Sequence, residues 1–469
     1  MSSIDDNIQN SKITMANMHE TILSCIGNTP LVRLNRVTEG IRTPIYGKCE
    51  FMNPGGSVKD RIGLPIILDA EKRGAIRPGG TIVEATSGNT GVGLALAAAV
   101  RGYKCIFTLP DKMSIEKIRL LKALGAEVVV TPTVPPDHPE YYTTVAKNIV
   151  KETPNSYFAN QFFNQVNPEA HYAVTGPEIW EQTEGKIDVL VGGSGTGGTM
   201  SGCARFLKEK NPNLLVIGAD PVGSLLKKFK DTGELGEGEP YKVEGIGNDK
   251  IPGTTWMDYF DEFRSVDDKR SFNMARRVSR EEGLFVGGSC GTAVTVALEV
   301  AKELDDPDKR IVVILPSTGE RYLSKFHNDE WMQENRFLDE SAADVRKLLG
   351  QKPASNRELV CVDSKKSIKS VLALMSEKNI SQVPVIEHGE SVGSVRESRL
   401  MALIIEKTAN LEDSINLHLE SPFPVIGANE NLEFVSRLLG RDNHALLVRN
   451  GPEITGILTR HDVIHAMNG

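Results

Sequence analysis

Apolar and polar positions fall into two regimes along this chain. From about residue 43 to 320, short β-branched runs alternate with stretches of helical period. Strands are expected at Thr81–Ala85, Cys105–Leu109, Glu127–Val130, Val189–Val191, Leu214–Gly218 and Ile311–Leu315. Several are unbroken apolar runs, the pattern of strands covered on both faces of a mostly parallel sheet. Between them, Ser114–Leu124 puts Ile115, Ile118, Leu121 and Leu124 on one helical face, and Val92–Val100 reads as another helix. The alternation predicts an α/β fold with parallel strands, whose ligands bind beyond the strand carboxyl ends.

The pattern changes near Phe337. Residues 338–357 lack a strong apolar stripe and end in Pro353-Ala354-Ser355-Asn356, so they read as a linker able to hold a helical turn or more. Residues 358–469 then carry an internal repeat. Gln382–Glu387 matches Ala445–Asn450 at an offset of 63, as do Gly393 and Gly456, Val362 and Val425, Val371 and Phe434, and Met375 and Leu438. Each copy reads strand, helix, strand, glycine, strand, helix. At about 50 residues one copy is too small to bury a core alone, whereas two cover each other's apolar faces.

Composition narrows the partners. Of 469 residues, 40% are hydrophobic and 25% charged, ordinary for a globular protein with a large core. Lysine and arginine number 54 against 62 acidic residues, a net charge of -8, so a surface built for nucleic-acid phosphates or anionic lipid is not expected. Residues 358–469 hold 11 basic and 15 acidic side chains, so half of that excess lies in the repeat and says little about a substrate. Six cysteines (Cys25, Cys49, Cys105, Cys203, Cys290, Cys361) include no closely spaced pair. Buried reduced thiols and no metal site are expected. Met1–Asn10 is polar and acidic, unlike a signal or transit peptide, and residues 1–19 read as an extension. The longest apolar run, Val92–Val100, is too short to span a bilayer, so a cytoplasmic protein without membrane contact is expected.

Three glycine-rich stretches carry the chemistry. Asn53–Arg61 reads NPGGSVKDR, Thr86–Gly91 reads TSGNTG, and Gly192–Thr199 reads GGSGTGGT; the last two each lie between a strand and a helix. The third contains Gly193-x-Gly195-x-x-Gly198, a dinucleotide fingerprint, and Asp220 ends the next strand where a ribose-binding acid belongs. Glycines there let backbone N–H groups close on any anion at the positive end of a helix. NAD, another phosphorylated cofactor and a structural turn all satisfy that pattern. Lys59 follows Gly55-Gly56 at the start of an expected helix. There it can form a Schiff base with a carbonyl cofactor, and the helix N-terminus lowers its pKa. A solvated lysine paired with Asp60 is the structural alternative. TSGNTG offers hydroxyls, an amide and N–H groups for a small carboxylate, and equally reads as a helix capped by Thr86 or Ser87.

Together and in this order, the three stretches resemble the fold-type II pyridoxal-phosphate enzymes of the cysteine synthase and cystathionine β-synthase group. ILSCIGNTPLVRLN (22–35), ADPVGS (219–224), VEGIG (243–247) and EGLFVGGSCG (282–291) extend the likeness from about Thr21 to Phe337. ADPVGS, VEGIG and the repeat favour the cystathionine β-synthase branch, and the repeat is similar to a tandem pair of CBS domains, a nucleotide-sensing module. The resemblance implies a two-lobed, parallel-sheet catalytic domain over residues 20–337, of tryptophan synthase β-like fold, and an α+β tandem CBS module over 358–469. It makes Lys59 the Schiff-base lysine, gives Asn89 the cofactor's phenolic oxygen, and sets Gly195, Thr196, Gly197, Gly198 and Thr199 around its phosphate. Ser289 would face the pyridine nitrogen. Thr86, Ser87, Asn89 and Thr90 would hold the substrate carboxylate with Gln161 close by, and Tyr172 and Gly245 would line the substrate pocket.

The implied reaction condenses L-serine with L-homocysteine to L-cystathionine and water, with hydrogen sulfide release from cysteine as a side reaction. A cysteine synthase using O-acetylserine and sulfide is the rival within the group; a dinucleotide-binding oxidoreductase or CBS-bearing regulatory protein is the rival outside it. Animal members carry a haem-binding extension with cysteine and histidine ligands. Residues 1–19 hold His19 and no cysteine, so no haem is expected, and the Cys-Pro-x-Cys motif of the animal enzymes is missing. Asn248-Asp249-Lys250 follows VEGIG where animal members place an aromatic, which bears on the second substrate. In the second repeat, Gly456–Asp462 matches the nucleotide pattern of CBS domains, with Thr459 for phosphate or carboxylate, Asp462 for a ribose diol and S-adenosylmethionine as the family ligand. The first copy has Arg396 and Arg399 at those places, so at most one adenosyl site is expected. The group further implies a homodimer or higher homo-oligomer.

Overall fold

The computed structural model describes residues 18–135, 137–338, 345–351, 359–428, 430, 434, 435, 438, 439 and 443–467. Most of the N-terminal extension, and all of the 338–357 segment except Leu338 and a short helix, lie outside the described residues. The chain divides after Leu338 into two compact units.

Ten strands build the first unit: β1 (Leu31–Arg33), β2 (Ile45–Cys49), β3 (Thr81–Ala85), β4 (Lys104–Pro110), β5 (Glu127–Thr131), β6 (Ser156–Phe158), β7 (Val189–Gly193), β8 (Leu215–Pro221), β9 (Glu262–Val266) and β10 (Ile311–Leu315). One sheet runs β5-β4-β3-β6, parallel throughout. The other runs β1-β2-β10-β7-β8-β9, parallel except where β1 meets β2. All six strands expected from apolar runs are present. β2 and β9 escape such a reading because polar residues interrupt them. Lys48 of β2 is tolerated in the core because its ammonium donates to Thr29 O at 2.6 Å, Glu178 at 2.8 Å and Gln182 at 3.0 Å. Arg264 of β9 reaches out to Glu262 and Glu303.

β10, Ile-Val-Val-Ile-Leu, is buried along its whole length between β2 and β7. Its alternating side chains feed two cores: Ile311, Val313 and Leu315 pack with Val294, Ala297 and Ala301 of the helix Gly288–Leu304, whereas Val312 and Ile314 pack with Met200 and Cys203 of the helix Gly198–Lys210. Each such side chain stabilises the fold by about 1.5–3 kcal/mol on full burial. Cys49, Cys105, Cys203 and Cys290 are likewise buried, which pushes their thiols up to about 12, whereas Cys25 and Cys361 are exposed. Among the described residues no helix is long and apolar enough to cross a membrane.

In the second unit β11 (Gln382–Glu387) pairs antiparallel with β12 (Glu390–Arg396). Its counterpart is β13 (Val425–Gly427) parallel to β14 (Ala445–Asn450), which pairs antiparallel with β15 (Glu453–Thr459). Part of the stretch that reads as a linker belongs to this core. Val345–Gln351 is helical, and Val345 and Leu348 are buried against Leu446, Val448 and Leu458. A stripe of three apolar residues over two turns is too short to stand out in the sequence.

Candidate active site

The carboxyl ends of β3, β7 and β10 lead into the loops that surround a cavity of about 900 Å³. Lys59 lies at its wall, just before the helix Asp60–Lys72. Two contacts fix that loop to the end of β10: Val58 N donates to Pro316 O at 2.9 Å, and Ser57 bridges Ser317. A third fixes it to the helix Asn89–Arg101, because a Cβ on Gly93 would lie 2.4 Å from Lys59 O. Only glycine allows this approach, which sets the spacing between Lys59 and the TSGNTG turn. Burial pushes the Lys59 ammonium down to about 8, against the opposing pull of Glu50.

The turn at 194–199 is shaped as an anion cradle. A Cβ on Gly195 would sit 2.2 Å from Gly245 O, and one on Gly198 would sit 2.1 Å from Asn167 Oδ1. Gly197 has φ +81° and presses on Thr255. Thr196 is pinned from several sides: its carbonyl accepts from Thr254 Oγ1 at 2.6 Å and Thr255 Oγ1 at 3.2 Å, and its hydroxyl accepts from Asn167 Nδ2 at 3.0 Å. The helix that follows, Gly198–Lys210, carries no acidic residue in its first turn and no side-chain cap. Ser194 Oγ is buried without a partner. Backbone N–H groups at an uncapped helix start, the helix dipole and the Thr196 and Thr199 side chains on the cavity wall together suit a phosphate, and the residues fit a phosphorylated cofactor.

Opposite lies the TSGNTG turn. Thr86 is buried beneath it and accepts from Gly88 N at 2.9 Å, so it shapes the turn from below and does not line the cavity. Ser87, Asn89 and Thr90 do line it, and Thr90 donates to Gln161 Oε1. Asn167 couples the two sides, since its amide also donates to Gln161 O at 2.9 Å. Ser289 reaches the cavity from the start of the helix Gly288–Leu304, where Gly287 N holds Ser317 O at 2.8 Å.

The structure thus gathers Lys59, Ser87, Asn89, Thr90, Gln161, Gly195, Thr196, Gly197, Thr199, Gly245 and Ser289 around one cavity. Gly198 sits just behind the wall under Asn167. Tyr172 is a correction. Its ring faces away from the cavity, donating to Glu209 at 2.8 Å and lying 4.4 Å below the Arg205 guanidinium. Aromatic side chains that do line the cavity include Phe162, the residue after Gln161, with Tyr141, Tyr142, Tyr241 and Trp331. Sequence reasoning also passed over Arg321, which donates to Asn89 Oδ1 and Gly55 O, and Glu84, whose carboxylate accepts from Gln161 N at 3.4 Å. Neither sits in a recognisable motif. In the second unit Asp462 accepts from Thr459 N at 2.7 Å and Thr459 Oγ1 at 2.8 Å, while Arg396 of the first copy pairs with Glu420.

A lysine, a phosphate-shaped turn and the start of the helix Asn89–Arg101 converging between two mostly parallel sheets define a pyridoxal-phosphate enzyme of fold type II. Comparison with known proteins agrees: the family described as pyridoxal-phosphate dependent enzyme matches residues 22–317, and the CBS domain matches 352–406 and 416–469. A cystathionine β-synthase of Oryctolagus cuniculus is 41% identical over 465 residues, 95% of this chain and 84% of the relative. Two solved structures, an O-acetylserine dependent cystathionine β-synthase from Helicobacter pylori and a hydrogen sulfide-producing enzyme from Fusobacterium nucleatum, each align with TM-score 0.61 at 38% identity. They cover 66% and 65% of this chain, and 99% and 100% of their own. The chain belongs to the cystathionine β-synthase family of pyridoxal-phosphate enzymes, with a C-terminal pair of CBS domains.

Proposed function

We propose that the cleft replaces the β-hydroxyl of L-serine with the thiolate of L-homocysteine, giving L-cystathionine and water. One observation carries this reading: Lys59, the TSGNTG turn and the anion cradle share a cavity of about 900 Å³. That is the upper end of the ~300–1,000 Å³ typical of ligand sites, roomy enough for a cofactor and two amino acids.

Gly195, Thr196, Gly197, Gly198 and Thr199 hold the cofactor phosphate, Asn89 its phenolic oxygen and Ser289 its pyridine nitrogen. When bound, the cofactor supplies an electron sink for charge developing at the substrate Cα. Ser289 is neutral and cannot keep that nitrogen protonated as an aspartate would, which favours expulsion of a β-leaving group over transamination. Ser87, Asn89, Thr90 and the N–H groups of the helix Asn89–Arg101 orient the serine carboxylate, with Gln161 steadying Thr90. Lys59, with its proton affinity lowered to about 8, takes the Cα proton and delivers it to the departing hydroxyl; it then takes the proton that the homocysteine thiol sheds and returns it to Cα.

A cysteine synthase using O-acetylserine and sulfide is the second reading; its O-acetylserine half is favoured by the 38% identity to a cystathionine β-synthase described as O-acetylserine dependent. Thr459 and Asp462 are proposed to hold an adenosyl ligand of the S-adenosylmethionine type. A cytoplasmic homodimer that releases hydrogen sulfide from cysteine completes the proposal. Competing serine plus homocysteine against O-acetylserine plus sulfide, by kcat/KM, tests it. A higher kcat/KM for serine and homocysteine is expected; a clear preference for the other pair overturns it. Lys59→Ala should lower turnover by about 10²–10⁴-fold or more.

A further inference from the structure

His171 is fully buried and belongs to neither the cavity wall nor a recognised motif. Its Nε2 lies 3.1 Å from Thr199 Oγ1 and its Nδ1 lies 2.9 Å from Thr175 Oγ1. It opens one wide turn of π-type helix, His171–Thr175, a distortion that recurs at functional sites. Gly202 lets the phosphate-turn helix close onto this segment, since a Cβ there would lie 2.1 Å from Pro168 O and 2.9 Å from His171 Cβ. Burial, reinforced by the cations of Arg61 and Lys59, holds the imidazole well below its usual range and therefore neutral.

We infer that His171 is a positioning residue for the cofactor phosphate, fixing the direction in which the Thr199 hydroxyl donates. A neutral imidazole has one donor and one acceptor, and a phosphate only accepts. Thr199 has a single hydroxyl proton. For that proton to reach the phosphate, Oγ1 must accept from His171 Nε2–H, and Nδ1 must then accept from the Thr175 hydroxyl. The chain Thr175, His171, Thr199 is polarised toward the anion, each bond strengthening the next. This inference rests on the cofactor and not on which thiol the enzyme consumes.

The test uses the full-length chain stripped of cofactor and titrated with pyridoxal phosphate and, separately, with pyridoxal, which lacks the phosphate. His171→Leu should weaken pyridoxal phosphate about tenfold or more, the usual scale for loss of an orienting partner, and leave pyridoxal within about twofold. His171→Gln, whose amide N–H can occupy the Nε2 position, should restore phosphate-dependent binding to within about threefold of the parent. Should His171→Leu not accumulate as folded protein, His171→Asn serves instead, because its amide reaches only the Nδ1 position and the same selective loss is expected. Equal losses for both ligands, no loss for pyridoxal phosphate, or a glutamine variant as weak as the leucine variant would each overturn the inference.

Discussion

The Lys117 ammonium lies 2.5 Å from the Glu244 carboxylate, a buried ion pair between the helix Ile115–Ala123 and the loop that carries Gly245. Lys325 bonds the same carboxylate from the other side, and Lys117 also sits 4.5 Å from the centre of the Tyr322 ring. Burial alone would raise the Glu244 pKa; the two lysines outweigh it and hold the carboxyl below its ordinary range. The stem of Lys117 packs directly under Gly88, so the triad ties the TSGNTG turn to the loop that carries Gly245.

Glu244→Gln should therefore cost about 3–5 kcal/mol, because it leaves two cations facing no carboxylate. Lys117→Met should cost less, since Lys325 still neutralises Glu244. Chemical denaturation of the three proteins checks the order. A glutamine variant as stable as the parent would remove the triad from any account of the cleft.

The outward face of Tyr172 predicts that Tyr172→Phe leaves kcat and KM within about twofold, the range of a surface change. Phe162→Ala, which strips an aromatic from the cavity wall, should raise KM for at least one amino-acid substrate several-fold. Steady-state kinetics with each substrate varied in turn separates the two. The reverse pattern would put Tyr172 back in the pocket.

Gly195→Ala drives a methyl into the Gly245 carbonyl, and neither neighbour is the flexible end of a side chain. The turn must open to admit it. Cofactor titration should show binding weakened by about tenfold or more, since donors displaced by even about 1 Å lose their aim. Unchanged affinity would mean that the cradle has slack.

Glu84 gives a pH signature. Burial raises its carboxyl from the ordinary 4.5 to about 8, against the pull of the Gln161 and Asn160 N–H groups. The folded chain thus keeps a proton that the unfolded chain releases, and stability contributed by this group falls as pH rises through that window, by at most about 1.4 kcal/mol per pH unit. Glu84→Gln removes the titration. The stability of the variant relative to the parent should grow from about pH 4.5 toward 8 and then level off; parallel stability curves would refute the assignment.

Strands such as Ile311–Leu315 were legible because burial on both faces writes an unbroken apolar run. GGSGTGGT was legible because glycine is the only answer where the backbone passes this close to Gly245, Thr255 and Asn167. Asn167, Arg321 and Glu84 were not, since each matters only through partners distant in sequence: Arg321 meets Asn89 across 232 positions, and Glu84 meets Gln161 across 77. Tyr172 shows a different limit. The resemblance located the right segment but not which of its sides faces inward, and one residue separates the buried His171 from Tyr172, which turns to Glu209 and Arg205.

The helix Val345–Gln351 has a consequence for the repeat. In the first copy, a side chain at Gly393 would press on Leu419, which follows that copy; in the second, one at Gly456 would press on Leu349, which precedes both. Each copy has its own apolar core, and each is covered at its glycine by a segment outside its own sequence match. A fragment cut at residue 357 would carry an open second core, whereas one that keeps Val345 onward retains its lid. Deleting the second copy, whose matched span 416–469 includes Leu419, should uncover the first copy at Gly393.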